Sequence, residues 1–131
     1  MARLTAEMKE MLGKQLCVIA TASKSGIPNA GPKGSVTVMD DGLIVFSEAT
    51  EGKTYRNLLE NPVVSIMFID REKSDGYQIK GKAEIVSSGA LFDQMAKRQQ
   101  ERKKPVPKYV VKVSVDEIYS IGSGMKGKRL A

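Results

Sequence analysis

The stretch DDGLIVFSEATEGKTYRNLLENPVVSIMFID, Asp40–Asp70, decides how the chain is built. It opens on Asp-Asp-Gly, a strong hairpin turn. LIVFSE then reads as a strand, apolar and β-branched. A short helix follows over Thr54–Glu60. Asn61-Pro62 ends it, because the residue before a proline is pushed out of the helical region. VVSIMFID reads as a strand apolar enough to be largely buried. The helix carries its charges reversed. A helix N-terminus favours Asp or Glu and a C-terminus Lys or Arg, yet Lys53 stands at the start and Glu60 at the end. Each misplacement costs about 0.3–1 kcal/mol if nothing compensates.

Working outward, IPNAGPKGSVTVM (Ile27–Met39) reads as one extended strand, entered irregularly because Pro28 and Pro32 cannot donate to a ladder. Before it lie an apolar strand, QLCVIATAS (Gln15–Ser23), and the turn KSG. A first helix spans about Thr5–Lys14, with Thr5 as its cap and Leu4, Met8, Met11 and Leu12 on one face. Past Asp70, REKSDG turns into a long strand, YQIKGKAEIVS (Tyr77–Ser87), where Gly81 marks a bulge or a close backbone approach. A helix begins near Ser88, its plausible cap, with Leu91, Phe92, Met95 and Ala96 as the apolar stripe; KPVP stops it. The sixth strand, KYVVKVSVDEIYSI, leads to a glycine- and lysine-rich tail. Six strands joined mostly by tight turns, with peripheral helices, argue for an antiparallel barrel.

The chain of 131 residues is expected to form a single domain, 1–131. It has no run of 18 apolar residues, so no transmembrane helix is expected. The segment MARLTAEMKEMLGK lacks the pattern of a signal peptide, and the single cysteine, Cys17, cannot form an intrachain disulfide; a cytoplasmic protein is the expectation. Lys and Arg total 21 against 15 Asp and Glu, a net charge of +6, which suggests an anionic partner without naming it. The chain has no histidine, which removes the Ser-His-Asp triad, His-ligated zinc and His-ligated haem. No metal site is expected.

Three segments invite a functional reading. In SEATEGKT (Ser47–Thr54), Gly52 lets the chain turn into a helix whose free amides, Lys53 and the Thr54 hydroxyl converge as an anion site. The plainer reading is that Thr54 caps the helix and Lys53 is solvated. In GPKGSV (Gly31–Val36), Lys33 precedes Gly34, which would let a flat ligand approach the backbone; a strand with a glycine bulge is the alternative. The basic run KRQQERKKPVPK could meet nucleic acid, but it holds no aromatic before Tyr109 to act as a stacking platform and reads more simply as a solvated helix face. Cys17 reads as a buried structural thiol and the methionines as core filler.

The order of PKGSV, the hairpin, LIVFSE, Lys-Thr, NLLENP, a buried strand and IKGKAEIV resembles the pyridoxamine 5′-phosphate oxidase-like family of FMN-binding split β-barrels. The resemblance covers roughly Leu16–Val86, with an echo in the last strand. It implies a mainly β (α+β) fold, a six-stranded antiparallel split β-barrel with peripheral helices. It also implies a homodimer with flavin at the subunit interface. Lys33, Gly34, Ser35 and Val36 would lie along the isoalloxazine and ribityl chain, Ser47 and Glu48 would meet the flavin from the next strand, and Lys53 and Thr54 would grip the phosphate. Asn57 and Leu58 match the helix signature and read as structural. The chain departs from the oxidase at its end: it keeps Arg129-Leu130 but has no Trp and no following His. The reading is therefore a flavin-dependent oxidoreductase or electron-transfer protein, and not the vitamin B6 oxidase. Its rivals are a nucleic-acid-binding barrel, a non-catalytic flavin store or sensor, and a reductase of the related barrels using the deazaflavin F420. The basic tail, Lys126, Lys128 and Arg129, could reach a partner's flavin or an anionic substrate, or stay solvated.

Overall fold

A computed structural model describes residues 2–122 and 127–131. Helix α1 (Ala6–Lys14) is capped by Thr5, whose Oγ1 accepts from the Met8 N–H at 3.2 Å. Strands β1 (Cys17–Ala22), β2 (Pro28–Lys33), β3 (Thr37–Asp40) and β4 (Leu43–Glu48) follow, then α2 (Lys53–Glu60), β5 (Val63–Asp70), β6 (Asp75–Val86), α3 (Ala90–Glu101) and β7 (Tyr109–Ser120). The seven strands form one antiparallel sheet in the order β2-β1-β5-β6-β7-β4-β3. Among the described residues no helix is long and apolar enough to cross a membrane.

The class and the antiparallel pairing are those expected, but among the described residues there are seven strands and not six, and the sheet is not closed. The extended run Ile27–Met39 breaks at Gly34–Val36. Its first half pairs with β1 and its second half with β4, at opposite edges of the sheet. The break is held by Ser35, which reaches β4 with its side chain: its Oγ accepts from the Ser47 N–H at 3.0 Å and donates to the Ser47 carbonyl at 3.1 Å.

The main core fills one side of the sheet, with Ile44, Phe46, Ile66, Phe68, Ile79 and Val113 almost fully buried under α1 and α2. A smaller cluster of Val45, Met95 and Val110 lies on the other side, where α3 packs. Strand β4 is thus covered on both faces, which accounts for its unbroken apolar run. Strand β5 is covered on one face and alternates. Gly81 sits at a register shift between β6 and β7. A Cβ there would collide with the Ser114 carbonyl and with Val113, so close backbone approach is the reason for glycine. Helix α3 does not use Ser88 as a cap; its N-cap is Gly89 at φ 97° with no side-chain bond, a backbone angle that favours glycine.

Candidate functional site

Two elements frame the site: strand β2 and the start of α2. Along β2, Asn29, Gly31 and Lys33 share one face, because side chains alternate, and all three are half-buried. At one end, Asn29 Nδ2 donates to Thr54 Oγ1 at 3.5 Å. At the other, Lys33 Nζ pairs with Glu48 Oε1 at 2.6 Å, both side chains largely out of solvent. Between them Gly31 offers no side chain, and a Cβ built on it would meet nothing within 4 Å. The result is an open strip, about 13 Å from Asn29 to Lys33 at strand rise.

The start of α2 is bare. Its N-cap is Gly52, no side chain caps it, and its first turn holds no acid. The first intrahelical bond runs from the Arg56 N–H to the Gly52 carbonyl at 3.1 Å, so the amides of Lys53, Thr54 and Tyr55 have no intrahelical acceptor. Thr54 lies inside the helix and is not its cap, which corrects the plainer reading of that residue. Lys53 is exposed. The helix itself is firmly seated. Asn57 Nδ2 donates to Thr21 Oγ1 at 3.0 Å, Leu58 is buried, and Asn61 Nδ2 donates to the Ala22 carbonyl at 3.3 Å. Glu60, misplaced for the dipole, accepts from the Lys24 N–H at 3.2 Å and so holds the β1–β2 turn. Tyr55 stacks at a tilt on Tyr109, ring centroids 4.8 Å apart. Burial, and then the nearby Glu48 carboxylate, pushes the Tyr109 phenol well above its ordinary range.

The remaining expected residues divide. Ser47 is buried, and its own Oγ has no hydrogen-bond partner among the described residues. The Ser35 hydroxyl is fully engaged by β4. Val36 is half-buried against the core, and Gly34 is exposed with its carbonyl accepting from Arg102 at 3.5 Å. Lys33, Gly34, Ser35 and Ser47 line one cleft of about 240 Å³ together with Gln99, Arg102 and Lys104 from the end of α3 and the loop after it. Lys53 and Thr54 do not line that cleft; Asn29 connects Thr54 to the strip. Sequence reasoning met Gln99, Arg102 and Lys104 only as members of the basic run Lys97–Lys108, read most simply as a solvated helix face, and did not bring them to this cleft. A signal existed: Gln99 follows Leu91 and Met95 at four-residue steps, a polar residue in phase with an apolar stripe.

Lys126 lies outside the described residues. The end of the tail folds back on β7: the Lys128 carbonyl accepts from the Ser120 N–H at 2.8 Å, and Arg129 lies 3.4 Å from Glu117. Cys17 is buried, as its apolar strand suggests. Among the described residues no group of His, Cys, Asp and Glu could hold a metal ion.

A bare helix terminus, an adjacent lysine and a side-chain-free strip fit a long ligand with an anionic end. Residues 4–122 match the family model described as pyridoxamine 5′-phosphate oxidase. The uncharacterized protein MJ0282 of Methanocaldococcus jannaschii is 34% identical over 132 residues, covering 98% of this chain and 87% of that protein. The crystal structure of HupZ from Group A Streptococcus superposes with a TM-score of 0.87 at 38% identity, over 95% of this chain and 98% of that one. An FMN-binding protein of Syntrophomonas wolfei shares the fold at 20% identity and a TM-score of 0.75, over 88% and 87% of the two chains. An F420 reductase and HutZ, the heme storage protein of Vibrio cholerae, share it at 19% and 21% identity.

Proposed function

The chain belongs to the pyridoxamine 5′-phosphate oxidase family, and on that premise we propose that it is an FMN-binding protein acting as a flavin-dependent oxidoreductase or electron carrier in the cytoplasm. The observation that carries the reading is the uncapped α2 terminus with Lys53 beside it, opening onto the strip over Gly31. Lys53 neutralises phosphate charge, while the Thr54 hydroxyl and the first-turn amides donate hydrogen bonds to it. The backbone at Gly34–Val36 and the Lys33–Glu48 pair set the polarity beside the ring. The bound flavin supplies the hydride or single-electron chemistry. No residue is assigned as a general acid or base.

Haem held by histidine does not suit a chain without histidine. The vitamin B6 oxidase reading lacks support too, since Arg129-Leu130 is followed by Ala131 and not by histidine, and Arg129 is turned onto its own Glu117. A homodimer sharing the flavin site is part of the proposal. It is supported by a groove of about 390 Å³ on the sheet, lined by Ala20, Ala22, Val63 and Gly81 together with the charged Lys80, Asp116 and Glu117, with Val63 exposed.

The absorption spectrum of the purified protein, with mass spectrometry of the released chromophore, tests the cofactor and separates FMN from F420. A colourless protein that FMN cannot reconstitute refutes the reading. In an FMN titration Lys53→Ala should weaken binding by about 1.5–3 kcal/mol, roughly 10- to 150-fold in Kd. An unchanged Kd removes Lys53 from the phosphate end.

A further inference from the structure

The positive charge of the chain is not spread evenly. Lys97, Arg98, Arg102, Lys103, Lys104 and Lys108 fall within twelve residues that hold one acid, Glu101, which leaves 15 basic residues against 14 acidic ones in the rest of the chain. Nearly all of the net charge of +6 thus sits at the C-terminal end of α3 and in the loop to β7. All six side chains are exposed, and among the described residues none is in an ion pair. The helix dipole accounts for only part of this. Its field falls off within the last turn, and Lys103, Lys104 and Lys108 lie beyond it. The backbone adds a second observation. Helix α3 ends in a Schellman turn, in which the Lys104 N–H donates to the Gln99 carbonyl at 2.9 Å and the Lys103 N–H to the Gln100 carbonyl at 3.0 Å. Its left-handed position is Lys103, at φ 57°, where glycine is the usual residue. The fold alone would favour glycine there over lysine. Val106 follows, 75% exposed, between Pro105 and a buried Pro107. The mount is stiff: the prolines fix φ, and the Lys108 N–H donates to the Glu48 carbonyl at 2.8 Å.

We infer that the loop Lys103–Lys108, with Val106 as its apolar centre and its lysines as the rim, is a docking surface for an acidic protein. An exposed apolar residue flanked by polar ones is the anatomy of a protein interface, and the unpaired lysines call for carboxylates opposite them. Nucleic acid is the poorer occupant, because the loop offers no exposed aromatic on which a base could stack; Tyr109 is buried. A lipid surface is poorer too. The apolar stripe of α3 is spent on the sheet, where Met95 packs with Val45 and Val110, and only Val106 is left to insert. Charge speeds such an encounter while a small apolar centre keeps it brief, which suits complexes that pass electrons and part. The surface also borders the Lys33 end of the strip: Lys108 is bonded to Glu48, the partner of Lys33, and Arg102 reaches the Gly34 carbonyl. The acidic partner is accordingly an electron-carrier protein, oxidised by one electron at each encounter as the flavin takes that electron up. Naming it an electron carrier rests on the flavin reading above; docking of an acidic protein does not.

The test is an NMR titration of the isotopically labelled full chain with two acidic probes, an acidic [2Fe–2S] ferredoxin and a glutamate-rich peptide carrying one leucine. Saturable shifts or broadening are expected at the amides of Lys103, Lys104, Val106 and Lys108, with Kd rising on the order of tenfold as sodium chloride goes from about 25 to 200 mM. Lys103→Gly separates docking from folding. It removes a charge and suits the left-handed backbone, so Tm should stay at or above that of the parent while Kd for the ferredoxin rises about three- to fivefold. Val106→Ser should weaken docking as well. Lys24→Gln, which removes an exposed charge from the β1–β2 turn at the far end of β2, should leave Kd within about twofold. Absence of saturable shifts with both probes overturns the inference, and so does a Lys103→Gly protein that docks as well as its parent. Tighter binding of a single-stranded oligonucleotide or of phosphatidylserine vesicles at the same amides also overturns it. A protein that docks the ferredoxin and holds no flavin keeps the surface and loses the flavin reading; one that holds flavin and docks neither probe does the reverse.

Discussion

Ser35→Ala should destabilise the fold far more than Ser47→Ala, although the two serines touch. Thr37 pairs with Val45, so continuing that register would set residue 35 opposite residue 47. The main chain has left the ladder there, and the Ser35 hydroxyl makes both bonds in its place, one to the Ser47 N–H at 3.0 Å and one to its carbonyl at 3.1 Å. Both residues are buried, so water is a poor replacement. Each orphaned backbone group costs about 1–3 kcal/mol, and because the two share one site and relax together, about 2–4 kcal/mol is expected in total. With an unfolding entropy of roughly 2.1 cal/mol/K per residue, that lowers Tm by about 7–15 °C for this chain length. The Ser47 hydroxyl has no partner to lose, so Ser47→Ala should hold Tm within about 2 °C or raise it. Scanning calorimetry, with urea m-values to confirm an unchanged unfolding transition, decides the matter. Equal losses in the two variants, or a Ser35→Ala protein as stable as its parent, would refute the view that this hydroxyl completes the ladder.

Other consequences are open to measurement. Gly81→Ala forces a Cβ against the Ser114 carbonyl and Val113 Cγ1, and backbone cannot retreat without parting β6 from β7. A loss of about 3 kcal/mol is expected from the urea midpoint. Asn57→Ala frees α2 from Thr21 and should cost about 1 kcal/mol, with faster amide exchange in α2. Burial pushes the Cys17 thiol up to about 11 from an ordinary 9.0. The fold therefore favours the protonated thiol: its contribution is intact below about pH 9 and is lost as pH rises toward 11, up to about 2–3 kcal/mol. The parent's urea midpoint should fall more steeply over that window than that of Cys17→Ala, and parallel curves would contradict the assignment.

Local pattern was enough where a segment has one set of neighbours. LIVFSE and VVSIMFID are β4 and β5 without adjustment, and Asn61-Pro62 closes α2. The misreadings arise where distant partners decide. Nothing within Ile27–Met39 says that its halves pair with strands at opposite edges, so one strand was expected where two exist; Gly34 was the available hint. The Gln99 cleft was hidden for the same reason, since Ser47 and Gln99 come to line one cleft only when α3 packs on β4. The basic run concealed it further, because exposed lysines around Arg102 make a solvated face the simpler expectation. Glu60 needed the β1–β2 turn in place before its role as an acceptor for Lys24 could be seen.

The prolines of β2 bear on how the molecule behaves in company. Strand β2 is a sheet edge, and residues two apart turn their amides to the same side. Positions 28, 30 and 32 face away from β1, and two of them are proline. An incoming strand would find three carbonyls and only the Ala30 N–H, too few donors to extend a ladder. The opposite edge, β3, is only four residues long. Both ends of the open sheet are thereby poor templates for strand-by-strand growth, so the chain can leave its barrel split without inviting fibrils at high concentration.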